Sequence, residues 1–285
     1  MDRDQVAAAV REVLRELLQQ EPPRQAGGPM PTAPDGMLVR ARHKPQQSPF
    51  DPTELQRIKD ATPARLAKGR TGTRFLTEVS IHLRAEHAIA LDAVHSAVPE
   101  DFAAQHGCIP LQTRCTTHDE YLLYPDHGRR LDDASRTRLE KEGTRGADVQ
   151  VILGDGLSAW AALEQGPELV PALQRGLEAA GYKTGMPLFV RYARIGVADE
   201  IGVLLGCKAT AILVGERPGL GTGDSLSIYT AHGPKLGQDN AEKDCISNVR
   251  PLGFPPEEAA RECVLLLKRT FAAGGGGIHL TQSGT

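Results

Sequence analysis

The sequence predicts an α/β protein in which a parallel sheet with helical crossovers follows a mainly helical segment. From Asp148 onward, short runs rich in Val, Ile and Leu alternate with helical patterns, as strands joined by crossover helices do. Between residues 51 and 145 the periodicity is mostly helical. Composition agrees: aromatic residues are 4% of the 285-residue chain and Ala, Leu and Gly are abundant, which favours helix-covered sheets over a β-sandwich.

Residues 1–20 carry one apolar stripe, Val6, Val10, Val13, Leu14 and Leu17, with Arg, Glu and Gln opposite it. Asp2 and Asp4 suit the positive end of that helix, and Pro22-Pro23 stop it. Residues 21–50 are rich in Pro, Gly, Gln and Ala with little to bury, so they read as a flexible linker. A short amphipathic helix on such a tether is expected to dock on a partner's groove or shell rather than on its own domain.

The segment 51–145 opens on Asp51-Pro52-Thr53-Glu54, an N-cap followed by proline in the first turn. Helix is expected to continue through Ala61–Lys68 and again over Thr73–Val94, where Phe75, Leu76, Val79, Leu83 and Ile89 share a face. His82, His87 and His95 on that stretch are assigned no chemistry. Ile109–Leu123 alternates more like strands. Arg129-Arg130 in the polar turn after Pro125 suits either an anion or a solvated helix start.

The remaining residues, 146–285, give the alternating part. Strands are expected at Val149–Leu153, Pro187–Tyr192, Ala209–Val214, Leu226–Ala231 and Cys245–Val249. Helices are expected at Ala159–Glu164, Leu169–Ala180, Val197–Leu205 and from Pro255 to Phe271, the last ended by four glycines. Loops at the strands' carboxyl ends, where open sheets bind ligands, hold Asp155, Ser158, Arg194, Glu216 and Arg217. The loop after the third of these strands, Gly215–Ser225, is rich in glycine and so lets a ligand approach the backbone.

Charge and motifs exclude several classes. With 33 basic and 36 acidic residues there is no basic excess for nucleic acid. No apolar run reaches the ~20 residues that span a bilayer, and the N-terminus is not a secretory signal. Five cysteines without a CxxC pair read as reduced thiols, and Cys108, Cys115 and His118 fit no zinc spacing. Gly219–Gly223 is neither GxGxxG nor a P-loop, and Gly156-Leu157-Ser158 is no nucleophile elbow. The residues alone describe a ligand-binding module without self-evident catalytic groups, and a stand-alone nucleotide-binding α/β module remains an alternative.

Longer stretches add a resemblance. Val149–Ser158, Phe189–Arg194, Val214–Gly221, Ser225–Ser227 and Cys245–Asn248 closely resemble the small (light) subunit of ethanolamine ammonia-lyase, and the likeness extends from about Ala67 onward. It implies a Rossmann-like C-terminal part that pairs with a large TIM-barrel subunit and holds adenosylcobalamin between the two. It also implies a carbon–nitrogen lyase that turns ethanolamine into acetaldehyde and ammonia by a radical path, with the substrate on the large subunit. The family's small-subunit cofactor contacts carry over to Ile195, Glu216 and Cys245. Ile195 stands where valine is expected in some members, so its contact is apolar or through backbone. Arg194, Asp155 and the rest of the Gly154–Ser158 turn are further neighbours, and no metal ligand is expected from this chain. The resemblance also makes residues 1–20 a tag for the shell of a bacterial microcompartment, which places the enzyme in its lumen within the cytoplasm.

Overall fold

The computed structural model describes residues 51–282 other than 63. The expected tag helix (1–20) and linker (21–50) lie outside these residues. The chain first forms α1 (Pro52–Asp60), a two-residue hairpin β1 (Arg70–Thr71) and β2 (Arg74–Phe75), α2 (Thr77–His95) and the single turn α3 (Phe102–Gln105). Then come β3 (Ile109–Gln112), α4 (His118–Leu123), a 3-10 turn at His127–Arg129 and α5 (Asp133–Glu142). The alternating part runs β4 (Val149–Gly154), α6 (Ala159–Ala179), β5 (Leu188–Arg191), α7 (Val197–Leu205) and β6 (Ala209–Gly215). It closes with β7 (Leu226–His232), β8 (Lys243–Val249), α8 (Pro256–Ala273) and α9 (Ile278–Gln282).

Six strands form one sheet in the order β3-β5-β4-β6-β7-β8. The first four are parallel, whereas β7 runs antiparallel to both β6 and β8. The sheet is therefore mixed, which corrects the expectation of a parallel one. The signal for a parallel sheet was the alternation of strand and helix from Asp148, but that alternation stops after β6. Connection length was the better guide. The link from β6 to β7 and that from β7 to β8 contain no α-helix, so neither can be a right-handed parallel crossover. The edge strand β3 comes from before residue 146, so the earlier segment contributes to the same sheet.

Two helical layers sandwich the strands. On one face α6 and α8 pack Leu169, Leu173, Leu177, Cys263 and Leu267 against Val151, Leu153, Leu213, Ile228 and Ile246. On the other face Leu139 of α5 and Val197, Ile201 and Leu205 of α7 cover Ile152, Leu188, Val190 and Ile212. Removing that apolar surface from water stabilises both layers at roughly 25 cal/mol per Å². The second layer packs on β3, β5, β4 and β6, and leaves that face of β7 and β8 without a helix.

Three local differences have clear causes. The two helices expected between Ala159 and Ala180 are one helix of 21 residues, which carries Pro167 and Pro171 in its interior. Ten buried residues along it hold the prolines in place, and Gly166 lets the backbone approach Leu153. Ile109–Leu123 is strand only as far as Gln112, because Thr117 caps α4 by accepting from the N–H of Glu120. Helix does not continue past Asp60 into Ala61–Lys68 as expected; residue 63 is proline, which disfavours helix in the residue before it. As expected, Asp51 caps α1 through the N–H groups of Thr53 and Glu54. No helix among the described residues is long and apolar enough to cross a membrane.

Candidate functional site

The carboxyl ends of β4, β5 and β6 open on a cavity of about 950 Å³. Leu157 follows β4, Arg194 and Ile195 follow β5, and Glu216 and Arg217 follow β6; all five line it. The uncovered face of β7 and β8 adds Ser227, Tyr229, Lys243 and Ser247 as a second wall. Arg114, Arg129 and Arg130 make a third.

The loops meet backbone to backbone, and glycine makes that possible. A Cβ on Gly156 would lie 2.3 Å from the carbonyl oxygen of Gly215, and one on Gly215 would lie 2.2 Å from that of Ser158. Neither neighbour is a flexible side-chain end, so no larger residue fits. The N–H of Leu157 donates to the Gly215 carbonyl at 3.0 Å, which ties the first loop to the third.

Asp155 ties the first loop to the second. Its carboxylate accepts from the N–H of Tyr192 at 2.8 Å and from that of Ala193 at 3.0 Å. Tyr192 is in the left-handed region at φ 58°, a conformation that costs free energy for a bulky residue. Burial pushes the Asp155 carboxyl up to about 6, against the pull of those amides.

Glu216 stands where β6 gives way to its loop. It accepts from Ser225 Oγ at 2.7 Å, from Ser227 Oγ and from the N–H of Asn248 at 2.9 Å. Asn248 takes φ 59°, which asparagine tolerates better than most residues. Burial acts to raise the Glu216 pKa, but the donors Ser227, Asn248 and Ser225 outweigh it and hold the carboxyl below its usual range. An ionised carboxylate offers about four lone-pair positions, so one remains for a ligand in the cavity.

Two cations are fixed in the walls. The Arg194 guanidinium lies 4.1 Å from the centre of the Tyr121 ring and donates to the Tyr121 carbonyl at 2.8 Å. Its shaft passes over Gly128, where a Cβ would be 2.7 Å from Arg194 Cγ. Lys243 Nζ is 2.9 Å from Asp199, and both side chains are at least 96% buried. That pair joins the start of β8 to the first turn of α7. Burial pushes the Asp199 carboxyl up, and Lys243 opposes this only in part.

Two of the three sequence-predicted residues line the cavity, and the third lies beside it. Ile195 and Glu216 line the cavity, and Cys245 lies between Lys243 and Ser247 on β8 with its side chain on the same open face of the sheet. Burial raises the Cys245 thiol above its usual value while the hydroxyls of Tyr229 and Ser227 pull it down, so it stays protonated and a poor nucleophile. Gly219–Gly223 lies outside the lining: Arg65 donates to the Leu220 carbonyl at 2.8 Å, and Gly223 packs on Trp160. That loop is committed to the chain's own packing. Among the described residues no group of three His, Cys, Asp or Glu is placed to hold a metal ion.

Sequence reading missed Tyr229, Lys243, Ser247 and Tyr121. The period of two in Lys243, Cys245 and Ser247 would have revealed a lined strand face had β8 been started two residues earlier. Tyr121 carried no signal of its own, since it reaches the cavity only through the fold.

A profile of the ethanolamine ammonia-lyase light chain (EutC) family matches residues 52–281. The ethanolamine ammonia-lyase small subunit of Fusobacterium nucleatum is 38% identical over 227 residues, which cover 80% of this chain and 77% of that protein. With the match spanning almost every described residue, the chain belongs to the ethanolamine ammonia-lyase light chain family.

Proposed function

We propose that this chain is the small subunit of an adenosylcobalamin-dependent ethanolamine ammonia-lyase, and that it holds the coenzyme jointly with a large subunit. One observation carries the reading: Ile195 and Glu216, distant in sequence, line one open cavity, and Cys245 stands on β8 between two further lining residues, Lys243 and Ser247. In this reading the Rossmann-like part of the family corresponds to the parallel strands β5, β4 and β6. Residues 146–285 then supply most of the cofactor-facing surface, and residues 51–145 supply the arginine wall.

The residues present fit a corrinoid. Its rim of amide groups needs both donors and acceptors, and its ring needs apolar contact. Glu216 supplies a spare acceptor position, and Arg194 Nε is buried without a partner among the described residues. Ile195, Leu157 and Val214 supply apolar surface. Burial and the neighbouring Cys245 push the Tyr229 phenol up to about 12, so it stays a neutral hydroxyl. A corrinoid exceeds a site built for drug-sized ligands, which occupy pockets of about 300–1,000 Å³, so a second chain is needed to close over it.

When bound, adenosylcobalamin supplies the radical chemistry that converts ethanolamine to acetaldehyde and ammonia. This chain's residues bind, orient and shield. Glu216, ionised and held by three donors, accepts without moving. Cys245 and Ile195 cover apolar surface and exclude water. No group of this chain is assigned to the substrate.

The reading is tested by equilibrium dialysis of adenosylcobalamin against the large subunit alone, this chain alone and the reconstituted complex. Retention by the complex only is the expected result. Equal retention by the large subunit alone sinks the reading. We further read residues 1–20 as a shell tag and 21–50 as its linker, which places the enzyme in a microcompartment lumen. Deleting residues 1–20 is expected to leave the activity of the complex unchanged while abolishing co-sedimentation with shells; lost activity counts against the tag.

A further inference from the structure

We propose that Arg114 and Arg130 form a clasp for a phosphodiester, and that it takes the phosphate of the coenzyme's nucleotide arm; the inference rests on the functional reading above. Thr113 and Leu131 form an antiparallel bridge, and the N–H of Arg114 donates to the Arg130 carbonyl at 2.9 Å. Arg114 and Arg130 thus flank an isolated bridge, with their backbones joined by that hydrogen bond. The bond brings two cationic residues from separate stretches of the chain next to each other.

Neither guanidinium has a hydrogen bond or ion pair among the described residues, and both line the cavity. The nearby carboxylates are engaged. Asp199, whose charge Arg130 feels, is bound to Lys243, and Asp126 is 2.8 Å from Arg129. The wider lining points the same way: six Lys and Arg side chains face four carboxylates, on a chain whose net charge is −3. Two arginines joined through their backbones, both lining a cationic cavity on an acidic chain, suit an anionic oxygen cluster. Arginine's planar fork favours phosphate or carboxylate in a bidentate geometry.

Cobalamin narrows that choice. The rim of its corrin bears neutral amides, and the anionic group of its side arm is a phosphodiester. A phosphodiester held here would give both guanidinium groups an anionic partner that this chain's described residues do not supply.

The test compares two probes in the reconstituted complex: adenosylcobalamin, and adenosylcobinamide, which lacks the phosphodiester and nucleotide. Dissociation constants are measured by dialysis for wild type, Arg114→Gln, Arg130→Gln and Arg114→Lys. Each glutamine variant is expected to weaken adenosylcobalamin about tenfold, the scale of one lost charge-assisted hydrogen bond, and to leave adenosylcobinamide unchanged. Arg114→Lys keeps the charge and is expected to retain part of the difference. The clasp is overturned if both probes weaken equally, if neither changes, or if subunit association weakens in place of ligand binding. A wild-type complex that holds neither probe overturns the functional reading itself, and the clasp falls with it.

Discussion

Asp155→Ala is expected to destabilise the chain by about 3 kcal/mol in urea unfolding, because it leaves two buried backbone N–H groups without an acceptor at roughly 1–3 kcal/mol each. Those N–H groups belong to Tyr192 and Ala193, and Tyr192 is the residue held at φ 58°. Nothing else among the described residues accepts from them, so the loop carrying Arg194 and Ile195 loses its anchor along with the stability. Cofactor retention is expected to fall with it.

A pH series separates the carboxylate's charge from its shape. The folded-state pKa of Asp155 lies at about 6, above its ordinary 3.8. Its contribution to stability is therefore fully present below about 3.8 and is lost as pH rises through about 6. Asp155→Asn lacks this titration. The stability gap between wild type and Asp155→Asn is thus expected to narrow between pH 4 and pH 7; a constant gap would show that burial is not what raises this group.

Glu216→Gln is the second large effect, and its pH dependence has the opposite sign. The amide replaces an acceptor that serves Ser225, Ser227 and Asn248, and turns an NH₂ group toward hydroxyls and an N–H that already donate. We expect a stability loss of about 2 kcal/mol and at least a tenfold loss of adenosylcobalamin retention by the complex, the scale of a charge-assisted hydrogen bond and its stranded partners. The Glu216 pKa is depressed, so its contribution is present above the ordinary 4.5 and is lost as pH falls through the lowered value. The gap to Glu216→Gln should close on acidification, where that to Asp155→Asn widens. If retention is untouched while stability falls, Glu216 holds the loop and does not meet the coenzyme.

The sequence located the strand-end loops better than it gave the directions of the strands. Loops at strand ends are readable because glycine and polar residues interrupt apolar runs, and this placed Ile195 and Glu216 correctly at the ends of β5 and β6. Strand direction is a property of connections, and the glycine-rich stretch after β6 looked like a ligand loop when its length and lack of helix marked a return strand. The arginine wall was half legible: Arg129-Arg130 stood out as a pair, but Arg114 joins Arg130 only through a bridge between two stretches separated by α4. Thr117 and Glu120 show a capping pattern that would have found α4, since the Glu120 side chain turns back to accept from Thr116.

The hairpin of β7 and β8 sets the thickness of the molecule. Where a parallel strand brings its own helix, a returning strand brings none, so the architecture is three strata deep under α7 and only two deep beneath Tyr229 and Cys245. Whatever settles on that step supplies the missing stratum. On the proposed function, coenzyme and large subunit serve this fold as its absent roof, and variants of the step report on assembly and on folding together.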